Sequence, residues 1–207
     1  MEKYIIPLIF ITASIHIRTR YKNLKLQEYI FKPLTTLLII LIAILSEPSD
    51  YKTAIVCGFI FSLFGDIFLM LEENKFIFGL VSFLIAHVIY IYAFINQANF
   101  ILPIYLIIPF IIYGLIMYWY LYKSLNELKI PVFVYVSIIL IMGVTAFNFY
   151  YSRQNNLSLL ALTGSIFFII SDTTLAIDKF KKKMYPDEFI LLSTYYLAQT
   201  LIALSIS

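Results

Sequence analysis

Two aspartates lie inside strongly apolar segments, where a carboxylate is costly to place. Asp66 belongs to FSLFGDIFLM (61–70) and Asp172 to FFIISDTTLAI (167–177). At the centre of a membrane-spanning helix an aspartate costs about 2.5–3.5 kcal/mol, so its presence suggests a use. Apolar surroundings favour the protonated form of a carboxyl group, so one such group can donate a proton while another accepts one from water. We therefore predict that Asp66 and Asp172 form an acid–base pair for hydrolysis.

Both aspartates also have a structural interpretation. Asp66 could accept a hydrogen bond from Ser62, or pair with Lys32 and hold the helices together, and Asp172 could bond to the hydroxyl groups beside it in the sequence. The depth of the two residues favours chemistry, because each lies five positions before the end of its apolar segment, roughly 8 Å along a helix. Two carboxyl groups at one depth, in a cleft open to one leaflet, are hard to explain by packing alone.

The sequence gives less support to other kinds of hydrolytic site. His16 and His87 are the two histidines, so a zinc site with three histidine ligands is excluded. A carboxylate site for a harder cation stays open. There is no GxSxG motif for a serine nucleophile, and Cys57 has no evident histidine partner. The predicted reaction therefore needs no metal and no organic cofactor.

The segments that carry these residues belong in a membrane. The chain has 207 residues, of which 62% are apolar and 13% charged, with a mean hydropathy of +0.91. Soluble proteins are nearer half apolar and a quarter charged. We predict a single all-α domain, a polytopic transmembrane bundle of about eight spans. These lie near 4–17, 33–45, 53–71, 76–95, 101–122, 130–151, 158–177 and 188–206, and the polar connection 18–32 is expected to lie on the membrane surface.

Basic residues predict the orientation of this bundle. Of the 15 Lys and Arg residues, Lys3, Lys52 and Arg153 flank the spans on one side, and all the others lie on the opposite side. The basic side is expected to face the cytoplasm, with both termini on the other side, in a bacterial inner membrane. The net charge of +3 includes no basic run long enough to suggest a nucleic-acid partner.

A series of short motifs resembles the YhhN-like lysoplasmalogenase family. They are KPLTT (32–36), FSLFGDIFLM, FIFGLVSFLIAHVIYIYAF, SIFFIISDTTLAIDKF and YYLAQTLIALS, which follow one another at the family's spacing from about Lys32 to Leu204. The resemblance implies an integral membrane enzyme that cleaves the vinyl ether bond of 1-alkenyl lysoglycerophospholipids. The products would be a fatty aldehyde and glycerophosphoethanolamine or glycerophosphocholine.

The resemblance also implies a set of site residues. Beside Asp66 and Asp172, the family positions are occupied here by Lys32, His87, Tyr90, Tyr195 and Gln199. We expect Lys32 to meet the lipid phosphate and the other four to bind substrate, orient water or adjust the aspartates. The Phe- and Leu-rich faces of the third, fourth and seventh spans are expected to hold the lipid tail.

We therefore predict a lysoplasmalogenase-like hydrolase whose partners are a lysophospholipid substrate and the bilayer. Protonation of the vinyl ether at the carbon beta to oxygen would give an oxocarbenium ion, to which water adds, much as two carboxyl groups flank such an ion in glycosidases. The alternative is a membrane transporter or lipid-binding protein in which the aspartate pair relays protons. Against a transporter, the sequence has no visible inverted repeat.

Overall fold

The long apolar runs form helices, because in lipid a backbone must satisfy its own hydrogen bonds. The computed structural model describes residues 2–71, 75–181 and 187–206, and within them the chain forms eight α-helices. These are α1 (Glu2–Tyr21), α2 (Lys25–Leu45), α3 (Asp50–Met70), α4 (Phe76–Ile95), α5 (Ile108–Tyr122), α6 (Lys129–Arg153), α7 (Asn156–Phe180) and α8 (Asp187–Leu204). The predicted all-α class is confirmed.

Length and composition identify a multi-pass membrane protein. Among the described helices, α2 to α7 (α5 and α6 with the short turns before them) give six segments of 19 to 28 residues that are apolar enough to cross a membrane. Residues Glu188–Leu204 of α8 form a shorter apolar helix. The predicted polytopic bundle is confirmed. Each predicted span overlaps one helix, and the crossing of the bilayer by α1 and α8 stays a prediction.

The helices are arranged as a ring with two helices outside it. Packing runs from α2 to α3, α4, α6, α7 and α8, and α8 returns to α2. Helix α1 packs against α2 and α8, whereas α5 packs against α6 and α7 and buries only Gly114 and Leu121 of its residues. The ring therefore encloses the polar residues of α2, α3, α7 and α8, and α5 is the most peripheral helix.

Small residues bring neighbouring helices of the ring close together. A Cβ atom on Gly65 of α3 would lie 2.5 Å from the ring of Phe83 in α4. A Cβ atom on Gly164 of α7 would lie 2.9 Å from the carbonyl oxygen of Ala198 in α8. Glycine permits this close approach between membrane helices, so both residues fix the spacing of the helices that carry the aspartates and Tyr195.

The connection between α1 and α2 is shorter than the sequence suggests. Instead of a surface segment over 18–32, α1 continues to Tyr21 and α2 begins at Lys25. Arg20 pairs with Glu28 at 3.1 Å and with Glu188 of α8 at 3.2 Å. Because these charges neutralise one another at the end of the bundle, the polar stretch can be helical and pack against α8.

Candidate active site

A polar cavity of about 560 Å³ lies at the basic end of the bundle. It is bounded by the last turns of α1, α3 and α7 and by the first turns of α2, α4 and α8. Its polar lining consists of His16, Arg20, Lys25, Glu28, Lys32, Asp66, Ser171, Asp172, Asp178, Lys179, Glu188 and Tyr195. Asp66 and Asp172 thus line one cavity from two different helices.

Asp66 is held by three donors from two other helices. The Lys32 ammonium lies 3.3 Å from Oδ1. The hydroxyl groups of Thr36 and Tyr195 each donate to Oδ2 at 2.7 Å. The Asp66 side chain is 1% exposed and that of Lys32 is 11% exposed. A buried carboxylate needs such partners, so this network ties α3 to α2 and α8 as well as fixing the position of the carboxylate.

The local structure of α2 explains part of this network. Lys32 and Thr36 are four residues apart and therefore lie one above the other on the same face of the helix. Both are buried and both contact Asp66. The ion pair that the sequence offered as a structural alternative for Asp66 is present, and the hydrogen bond from Ser62 is replaced by those from Thr36 and Tyr195. The catalytic assignment of Asp66 stays a prediction.

Asp172 has different surroundings. The Tyr135 hydroxyl of α6 donates a hydrogen bond to Asp172 Oδ2. His87 Nε2 lies 3.9 Å from the same oxygen, which is too long for a hydrogen bond. Ser171 instead donates its hydroxyl proton to the carbonyl oxygen of Leu191 at 3.1 Å, so that proton is not available to Asp172. Asp172 therefore accepts from a tyrosine hydroxyl of α6, whereas Asp66 faces an ammonium group and accepts from two hydroxyl groups.

The remaining predicted site residues lie behind the cavity wall. His87 and Tyr90 of α4 are fully buried, and Tyr90 shares a hydrogen bond of 3.3 Å with Ser62. Gln199 of α8 is also fully buried, and its amide atoms have no hydrogen-bond partner among the described residues. Of the predicted set, the structure brings Lys32, Asp66, Asp172 and Tyr195 to the cavity; these other three do not line it.

Sequence reasoning missed two direct partners of the aspartates. Thr36 belongs to the KPLTT motif, and its four-residue distance from Lys32 was a usable signal. Tyr135 had no such signal, because it is one of 17 tyrosines and its partner is 37 residues away in the sequence.

The phosphate-binding role expected for Lys32 also looks different in the structure, since its ammonium group is engaged by Asp66. Lys25 and Lys179 line the same cavity and are exposed, which places basic groups nearer to its mouth. A site for a metal ion is not evident, because the described part of the chain contains no cluster of three His, Cys, Asp or Glu side chains.

An apolar cavity adjoins the polar one at Asp172. It is lined from α4, α5, α6 and α7, and it shares Phe76, Asp172 and Leu175 with the polar cavity. Helix α3 contributes nothing to its lining, so the apolar surface beside Asp172 differs from the faces of the third, fourth and seventh spans that the sequence suggested.

Known proteins resemble this chain over most of its length. A family model described as the YhhN family matches residues 27–206. Lysoplasmalogenase TMEM86A of Bos taurus is 35% identical over 170 residues, which cover 78% of this chain and 68% of the relative. Lysoplasmalogenase TMEM86B of Sus scrofa is 27% identical over 183 residues, 84% of this chain and 72% of the relative. The uncharacterized membrane protein YhhN of Escherichia coli O157:H7 is 24% identical over 199 residues, 95% of each chain. No solved structure gives a significant match.

Proposed function

Because the chain belongs to the YhhN family, we propose that it is a lysoplasmalogenase-like membrane hydrolase, the activity named for its TMEM86A and TMEM86B relatives. Its substrate is a 1-alkenyl lysoglycerophospholipid, and its products are a fatty aldehyde and glycerophosphoethanolamine or glycerophosphocholine. The observation that carries the proposal is the single cavity lined by both Asp66 and Asp172.

The reaction requires an acid that protonates carbon and a base that activates water. A proton from the acid adds to the vinyl carbon beta to the ether oxygen, and the positive charge moves to the oxocarbenium centre. Water adds to that centre while the base takes its proton. The protonated base then gives its proton to the glycerol oxygen as the carbon–oxygen bond of the hemiacetal to glycerol breaks. The hemiacetal hydroxyl proton passes to the carboxylate that acted first as the acid, which gives aldehyde and alcohol and restores both carboxyl groups. All atoms balance without a metal or a redox cofactor.

The surroundings of the two aspartates support a division of these roles. Asp66 faces the Lys32 ammonium at Oδ1 and accepts from two hydroxyl groups at Oδ2, so both of its oxygens are already engaged as acceptors. It is the proposed base and the group that stabilises the cation. Asp172 accepts a hydrogen bond from Tyr135 at one oxygen and borders apolar side chains, so its other oxygen can carry the proton that an acid needs. It is the proposed acid.

The other residues of the predicted set take supporting roles in this scheme. Lys32 and Tyr195 hold Asp66, and His87 lies behind Asp172. Tyr90 and Gln199 are buried behind the cavity wall and support it by packing. The headgroup phosphate meets the exposed basic residues at the cavity mouth.

Release of aldehyde by the purified protein tests this function. The protein in detergent is incubated with a 1-alkenyl lysolipid and with its saturated ether and acyl analogues. Asp66→Asn and Asp172→Asn are expected to abolish aldehyde release, whereas Asp50→Asn, an exposed aspartate in the first turn of α3, keeps it. Full activity in either of the first two variants would defeat the aspartate assignment. Tight lysolipid binding without any turnover by the wild type would favour the lipid-binding alternative.

The orientation of the protein is part of the proposal, since the polar cavity opens at the basic end. A membrane-impermeant maleimide tests it in a Cys57→Ser background. A cysteine introduced at Lys22, between α1 and α2, should be protected in intact cells, whereas one introduced at Glu47, between α2 and α3, should be labelled. The opposite pattern would reverse the orientation.

A further inference from the structure

The apolar cavity beside Asp172 is too small to enclose a long hydrocarbon chain. Its volume is about 50 Å³. Apart from Asp172, the hydroxyl-bearing Tyr113, Tyr135 and Thr173 are the polar members of its lining; the rest is aliphatic and aromatic. A lipid tail that begins at Asp172 must therefore continue somewhere else.

A second apolar depression continues from this cavity to the outside of the bundle. This lateral groove, of about 250 Å³, lies between α5, α6 and α7. It shares Tyr113, Leu140 and Ile169 with the apolar cavity. Its rim includes Ile166 and Ile170, which are 42% and 39% exposed on the lipid-facing side of α7. The apolar cavity thus shares wall residues with the polar cavity on one side and with the lateral groove on the other.

The direction of the groove matches the direction of a lipid. Along α7, Ile166 precedes Asp172 by six residues, about 9 Å of helix, and lies away from the end that carries the polar cavity. A lysolipid with its headgroup in the polar cavity would place the ether near Asp172 and its tail along the groove towards the bilayer midplane. The protein surface therefore changes from charged to apolar in the same order as the lysolipid changes from headgroup to tail.

One side chain stands at the junction of the apolar cavity and the groove. Tyr113 of α5 lines both, and its hydroxyl lies 2.6 Å from Thr173 Oγ1 of α7. Because Thr173 donates its own proton to the carbonyl oxygen of Ile169, Tyr113 is the donor of this bond. The bond spans the gap between α5 and α7, where α5 is otherwise little buried.

We propose that the hydrocarbon tail of the lysolipid enters sideways from the bilayer between α5 and α7 and lies in the lateral groove, with Tyr113 at the junction. This inference rests on the proposed function for the identity of the lipid. The tail is a single chain of one lysolipid, which adds no polar group and therefore suits a groove without charged lining residues.

Photocrosslinking tests the groove independently of turnover. The probe is a saturated ether analogue of lysophosphoethanolamine, which cannot undergo vinyl ether hydrolysis. Its diazirine is placed about 9 Å along the tail from the ether, the distance that separates Asp172 from Ile166. Bound to the full-length protein in detergent, it is expected to label residues 109–113 and 166–170 on α5 and α7. Labelling confined to other helices would overturn the proposal, even if the protein releases aldehyde.

Selective obstruction provides the second test. Ile170→Trp fills the rim of the groove without reaching the apolar cavity lining, and Ile116→Trp is the matched control on the lipid face of α5 outside the groove. The rim variant should lower kcat/KM for a long-chain 1-alkenyl lysolipid at least about tenfold, because several methylene contacts are lost, and leave a short water-soluble analogue unaffected. The control should change neither value.

The two failures are distinguishable. Equal losses for long and short substrates, or no loss for the long one, would contradict tail binding in the groove while leaving the hydrolase assignment intact. A wild-type protein that releases no aldehyde from either substrate would contradict the hydrolase assignment, and the crosslinking result would still decide whether the groove binds a lysolipid tail.

Discussion

Removal of one partner from the Lys32–Asp66 pair should destabilise the protein strongly. The charged atoms are 3.3 Å apart, and the side chains are 11% and 1% exposed, so this is a buried ion pair. Taking away one charge leaves the other buried without compensation, at about 3–5 kcal/mol. For a chain of this size that corresponds to a fall in Tm of about 6–20 °C. We expect a loss in this range for Lys32→Met and for Asp66→Asn alone.

The double variant separates the pair from its surroundings. When both charges are removed together, no isolated charge stays buried, so the combined loss should be several kcal/mol smaller than the sum of the two single losses. Thermal unfolding of the purified protein in detergent, followed by circular dichroism, gives all three values. Lys123→Met in the exposed connection between α5 and α6 is the control and should stay within about 0.5 kcal/mol of wild type.

The same double variant distinguishes the structural from the catalytic interpretation of Asp66. If Asp66 serves only to bind Lys32, the folded double variant should still release aldehyde. If Asp66 is the base, the variant should fold and be inactive. Strictly additive losses of stability would refute the reasoning about the buried pair, and an active double variant would refute the catalytic assignment.

Three other outcomes are expected. Tyr135→Phe should fold and lower kcat by roughly 100-fold, because Asp172 loses its donor, and an unchanged kcat would show that this bond is not used. Aldehyde release should survive treatment with EDTA; its loss, with rescue by zinc, would favour a metal-dependent reaction. Gly164→Ala should destabilise the protein by about 1–3 kcal/mol in thermal unfolding, because its methyl group would lie 2.9 Å from the backbone oxygen of Ala198, which cannot move aside as a side chain can. A neutral effect would mean that α7 and α8 adjust freely.

The fold class was predictable because its cause is local. A run of about 20 apolar residues must be helical in a bilayer, whatever lies beside it. The boundaries near α1 and α2 were less predictable, since the helical state of the charged stretch depends on Arg20 meeting Glu188, 168 positions later in the printed sequence. In the sequence alone, a charged residue whose ion-pair partner is distant cannot be told from one that is solvated, so a surface segment was predicted.

The candidate site also has features that the sequence could predict and features that it could not. The predicted span ends placed Asp66 and Asp172 near the same end of the bundle, and both residues line one cavity there. The difference between their surroundings could not be calculated, because it depends on which faces of α6 and α8 turn inwards. Tyr135 therefore escaped notice, and Tyr195 was singled out without its direct bond to Asp66 being foreseen.

This difference in surroundings bears on the proposed mechanism more than the shared cavity does. Two carboxyl groups in equivalent surroundings could exchange roles. Either one could then protonate the vinyl carbon, and the other could activate water. Here three donors fix Asp66 at the polar cavity, and Asp172 stands on the wall that this cavity shares with the apolar one. In vinyl ether hydrolysis the proton must reach carbon, at the start of the hydrocarbon tail, and water must reach the carbon next to oxygen. The proposed acid on the apolar side and the proposed base on the polar side therefore fit the reaction in one orientation of the lipid, the one in which the tail would lie in the lateral groove.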